Sequence, residues 1–152
     1  MKGARLLTYV INALFSISGK RGETSAMADR TLLVLASVLE VSAGLVLILS
    51  PSVFVHLLLG ADVIGTGFIL GRVAGFGLLS LGVACWPGAD IGTRVQSVLA
   101  MLTYNSLVAA YLDDLGAARG FSGSLLWAVV VIHGVLALLF ARAAWKQRSI
   151  SS

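Results

Sequence analysis

Four residues able to do chemistry stand inside long apolar runs: Glu40, Arg72, Asn105 and His133. A carboxylate or an imidazole at membrane depth can carry a proton, and a guanidinium can neutralise a carboxylate. Left alone in hydrocarbon such groups cost at least a few kcal/mol each, so they face other helices and find partners. Glu40 has Ala36, Ser37, Ala43 and Gly44 three and four residues away, a strip of small side chains that lets a second helix approach. Gly67, Gly71 and Gly75 recur at every fourth position, forming two overlapping GxxxG units with Arg72 on their shoulder. Counted from the intervening loop, Glu40 lies about ten residues deep and Arg72 about seven, a rise difference of about 4–5 Å that an arginine side chain spans. The spacing predicts a buried Glu40–Arg72 ion pair, which either registers two helices or serves transport. The same count places Asn105 and His133 at similar depth on adjacent antiparallel helices and predicts a hydrogen bond between them, as a packing contact, a proton relay or a ligand contact.

Other chemistries lack their residues. The chain has no HExxH, CxxC or GxxxxGK[ST] pattern, and no Ser/His/Asp set placed to form a nucleophile. No catalytic residue, metal ligand or cofactor is therefore assigned. A haem held by two histidines needs both at one depth, whereas His56 falls in a short segment outside the long runs and His133 in the middle of one. Cys85 is the single cysteine, with no partner for an internal disulfide, and reads as a small buried hydrophobe.

The elements that must position these residues follow from composition. At 152 residues, 58% hydrophobic and 12% charged, with a mean hydropathy of +0.96, the chain carries more apolar surface than one small water-soluble core can hide. Four runs are long enough to cross a bilayer core of about 30 Å as helices: Thr31–Ser50, Thr66–Trp86, Val95–Leu112 and Ser124–Ala143. Pro51, Pro87-Gly88 and Asp113-Asp114-Leu115-Gly116 break them. No stretch alternates in the manner of an outer-membrane barrel strand. The expected fold is all-α: a polytopic bundle of four transmembrane helices over 31–145, with a short interfacial segment at 52–60 lying on the outer leaflet.

The net charge of +4 and a pI near 9.7 do not indicate nucleic acid, because the cations flank the apolar runs. Lys2, Arg5, Lys20, Arg21, Arg30, Arg94, Arg142, Lys146 and Arg148 fall on one side and only Arg119 on the other. The positive-inside rule then puts both termini in the cytoplasm, with 1–30 as a cytoplasmic extension carrying an interfacial helix and 146–152 as a cytoplasmic tail. Trp86 and Trp145 belong to the inner interface, Tyr111 and Trp127 to the outer one. The extension has a basic start and an apolar run like a signal peptide, but cleavage after Ala26 would reverse the charge rule. Met27-Ala28-Asp29-Arg30 also reads as a start of its own, so two readings of the first 26 residues stay open.

The runs LEVSAGL (39–45), GRVAGFGLLSLGVACWPG (71–88) and AMLTYN (100–105) resemble a set of short, uncharacterised four-helix membrane proteins of bacteria. The resemblance covers residues 30–145 and implies a bacterial inner-membrane setting, with no activity to carry over. Leu39-Glu40-Val41 is also similar to the first helix of small multidrug-resistance transporters, over those three residues. The expectation is a small non-enzymatic membrane component or accessory subunit, whose partners are the lipid bilayer and further subunits in a homo-oligomer or larger complex. The competing expectation is a proton-coupled small-solute transporter or channel using Glu40 and His133. An enzyme acting on a lipid or quinone ranks behind both.

Overall fold

The computed structural model describes residues 27–88 and 91–151, and the expected N-terminal interfacial helix lies outside them. Among the described residues the chain is helical throughout, with no strand. Helix α1 covers Met27–Leu49, α2 Pro51–Leu59, α3 Gly67–Ala84, α4 Ile91–Ala117 and α5 Leu126–Ser151. All but α2 are long and apolar enough to cross a membrane.

The breaks follow backbone chemistry. Pro51 ends the ladder of α1 and opens α2, where a missing N–H costs nothing. Gly60 ends α2 in the left-handed conformation at φ 68° and returns its N–H to His56 O. The Asp113–Gly116 stretch, expected as a turn, instead continues α4 to Ala117. Leu112 and Leu115 are the reason, because both are buried against Leu126 of α5 and hold the last turns helical. Likewise α5 runs on past Trp145 to Ser151, so residues 146–151 of the expected tail continue the helix.

α1 is the central helix. Its buried stripe runs Leu33, Ala36 and Ser37, Glu40, Gly44 and Leu47, the 3.6-residue periodicity of one helix face. Leu33 and Ala36 join Val98 and Met101 of α4 and Leu136, Phe140 and Ala143 of α5 in the larger core. On another side α1 meets α3 with backbones nearly touching. A Cβ on Gly75 would stand 2.8 Å from Gly44 O, and one on Gly82 would stand 2.8 Å from Ser37 O. The expected glycine surface is thus present at Gly71 and Gly75 and extends to Gly82. Gly67 does not belong to it, since a Cβ there meets only Val63 of the preceding loop.

A smaller core joins Leu112, Leu115 and Leu126 to Leu58 and Leu59 of α2. The connection between α4 and α5 lies along the end of α2, where Leu125 N donates to Leu57 O at 2.9 Å and Ser122 N to Leu59 O at 3.4 Å. These bonds satisfy carbonyls that a helix end otherwise leaves without partners. The backbone of Leu57 and Leu58 fills the place where a Gly123 side chain would stand. Gly123→Ala should therefore lift the connection off α2. Amide exchange at Ser122 and Leu125 is expected to speed roughly tenfold, equivalent to about 1.4 kcal/mol. Unchanged exchange there would show that the segment is held by something else.

Candidate functional site

Glu40 projects from the inner stripe of α1 and is 2% exposed. Its ion-pair contact is His133 of α5, whose Nε2 lies 3.7 Å from Glu40 Oε1. The expected pair with Arg72 is not formed. Arg72 is exposed, and the helix register explains why. Gly71 lies beside Leu47 and Pro51, Gly75 beside Gly44 and Ile48, and Gly82 beside Ser37 and Val41. In this antiparallel register Arg72 is level with the end of α1, about eight residues or roughly 12 Å from Glu40 along the axis. Equating the outer ends of the two apolar runs placed α3 too deep.

The imidazole is held by its other nitrogen. His133 Nδ1 lies 2.9 Å from Val129 O, one turn earlier in α5. A carbonyl oxygen only accepts, so Nδ1 carries the hydrogen and donates it. In neutral His133 that leaves Nε2 with a lone pair, 3.7 Å from a carboxyl oxygen. Two lone pairs at this range repel, so a proton between Glu40 and His133, carried by either, turns the contact attractive. Both placements of that proton, on the carboxyl or on the ring, leave the pair with zero net charge.

Tyr104 of α4 completes the group. Its hydroxyl is within hydrogen-bonding reach of the Glu40 carboxylate, and its ring meets His133 edge-on with centroids 6.0 Å apart. Sequence reasoning missed Tyr104 as a site residue. The available signal was its depth, since tyrosines of membrane helices favour the interface and Tyr104 stands two turns inside the end of α4 marked by Tyr111.

Asn105 does not reach His133. It is fully buried and donates from Nδ2 to Met101 O at 2.8 Å, while its Oδ1 has no partner. One residue on from Tyr104, a helical side chain points about 100° away, so only one of the two can face the Glu40 site. Toward α3 the site borders Cys85, which is buried and within hydrogen-bonding reach of Ser97. Ser97 itself donates to Thr93 O at 3.0 Å.

Comparison with protein-family models, with curated proteins and with solved structures finds no match. The site is therefore read from its own geometry. Of the four expected polar residues, the structure brings Glu40 and His133 together and leaves Arg72 and Asn105 apart from them.

Proposed function

We propose that the chain is a multi-pass protein of the bacterial inner membrane, with both termini cytoplasmic, in which Glu40 and His133 hold and pass a proton within the bundle. The membrane assignment rests on four helices of sufficient length and apolarity. It is supported by aromatic side chains at both ends of the bundle, Trp86 and Trp145 at one and Tyr111 and Trp127 at the other, all more than half exposed. The orientation rests on the distribution of lysine and arginine.

One observation carries the proton reading: the Nδ1 bond to Val129 O leaves Nε2 facing Glu40 Oε1. An arginine partner would have fixed the carboxylate with a permanent charge. A histidine partner titrates too, so the proton can move between them without building net charge in low dielectric. This is the chemistry of a small proton-coupled transporter or channel.

The second reading, a non-enzymatic component or accessory subunit, is supported by the close α1–α3 seam at Gly44, Gly75 and Gly82, a device of assembly rather than transport. Purified protein in liposomes loaded with a pH-sensitive dye separates the two. Under an imposed potential the wild type should acidify or alkalinise the lumen, and Glu40→Gln should reduce the rate to that of empty liposomes while the protein still melts cooperatively. Wild-type liposomes as tight to protons as empty ones would discard the carrier and leave the accessory component.

A further inference from the structure

The outward faces of α3 and α4 are built unlike surfaces that meet only lipid. On α4 the exposed side carries Gln96, Thr103, Ser106 and Asp113, with Ala100 and Ala110 among them. Thr103 and Ser106 lie well inside the apolar run, where lipid tails offer a hydroxyl no partner, and small and polar residues are what helix–helix contacts in membranes use. On α3 the exposed side carries Gly77, Ser80 and Ala84. A Cβ on Gly77 would meet nothing within 4 Å, so no contact within the chain explains a residue that costs a helix roughly 1 kcal/mol relative to alanine.

Two exposed charges flank these faces. Neither Arg72 nor Asp113 takes part in the ion pairs His56–Asp62, Arg119–Asp114 and His133–Glu40. Their depths agree. Arg72 is level with the end of α1 through the Gly71 contacts, while Tyr104 is level with Glu40 and sets α4 against α1. Counting nine or so residues outward from both Glu40 and Tyr104 reaches the end of α1 and Asp113 together.

We infer that the outward face of α3 docks antiparallel on the outward face of α4 in a second copy of this chain, with Arg72 paired to Asp113 of that copy. Two copies inserted in one orientation present these helices antiparallel, as the contact requires. With Arg72 set opposite Asp113, Gly77 comes level with Val108 and Ala84 with Met101, and the outward-facing neighbours of those two residues, Leu107 and Ala100, stand within one residue's rise of Gly77 and Ala84. Helical rotation then puts Arg72 and Asp113 on the same flank of the pairing, beside the seam. A second copy is the occupant because it supplies the acidic partner at the right depth, whereas a surrounding lipid would satisfy Arg72 and leave Thr103, Ser106 and Gly77 unexplained. The inference needs four membrane-crossing helices and does not depend on proton transfer.

The test uses full-length chain with Cys85→Ser as background. Gly77→Cys and Leu107→Cys, made in separate chains with different tags, are co-reconstituted in phosphatidylcholine vesicles and mildly oxidised. The expected product is a covalent dimer carrying both tags, in clear excess over dimers of either variant with itself. Arg72→Glu in both chains should cut its yield roughly tenfold, and adding Asp113→Arg should restore it. Both charged side chains are exposed, so these variants should keep the wild-type melting temperature, and the melt is run on every sample. No mixed dimer from folded chains overturns the contact. A mixed dimer indifferent to Arg72→Glu, the outcome expected if Arg72 serves a lipid phosphate, overturns the pairing and with it the proposed register.

Discussion

Gly75→Leu and Gly82→Leu should each prevent recovery of folded protein in detergent, whereas Gly77→Ala should melt at or above the wild-type temperature. All three glycines lie on α3, within eight positions of one another, and hydropathy does not distinguish them. Contact geometry does. A Cβ on Gly75 would stand 2.8 Å from Gly44 O and 3.0 Å from Ile48 N, and one on Gly82 would stand 2.8 Å from Ser37 O and 3.1 Å from Val41 N. These are backbone atoms that no rotamer change moves aside. Even alanine must push α1 and α3 apart, at a cost of roughly 1–3 kcal/mol for overpacking, and leucine opens the whole seam. The seam matters because α3 keeps little other burial, with Gly75 and Gly82 its buried residues. Within the chain Gly77 faces open space, so a methyl group there adds helix propensity of roughly 1 kcal/mol and meets no atom of its own chain. Thermal melts followed by circular dichroism measure all three. Wild-type melting of both leucine variants would mean that α1 and α3 do not touch.

The same seam shows what was legible in the sequence and what was not. Four helices long and apolar enough to cross a membrane were legible because continuous apolarity over about 20 residues has few other readings. The inward direction of Glu40 was legible from the small residues around it, and the helix over 51–59 from its length and apolarity. The register between α1 and α3 was not. It depends on which glycine meets which backbone, and the repeat of four that singles out Gly67, Gly71 and Gly75 gives no weight to Gly44, the lone glycine of α1, or to Gly82, which falls outside the repeat. An error of about five residues in that register exchanged the partner of Glu40 from His133 to Arg72. The Asn105 assignment failed for a different reason. Depth along an axis was estimated well enough, but depth does not specify rotation, and Tyr104 occupies the direction Asn105 was expected to take.

Removing Glu40 or His133 singly should destabilise the bundle, and removing both should recover most of the loss. The size of the loss reports the state of the proton. The pair is buried, with side-chain exposures of 15% for His133 and 3% for Glu40. If the proton sits on the ring, the contact joins imidazolium to carboxylate, and leaving either charge alone costs roughly 3–5 kcal/mol by analogy with buried pairs in soluble proteins. If it sits on the carboxyl, the contact is a neutral polar one at 3.7 Å, and even full hydrogen bonds between membrane helices are worth only about 0.6 kcal/mol on average. Glu40→Leu, His133→Leu and the double variant, melted in one detergent, give the coupling directly. Coupling above roughly 2 kcal/mol assigns the charged form, and coupling below roughly 1 kcal/mol the neutral one. Tyr104→Phe should cost about 1 kcal/mol in the wild type and much less once Glu40 is leucine, because its hydroxyl then has lost its acceptor. Arg72→Met should add independently to Glu40→Leu, since about 12 Å of helix separates the two residues along the axis. Additivity between Glu40→Leu and His133→Leu, or coupling between Glu40 and Arg72, would contradict the register on which the site is built.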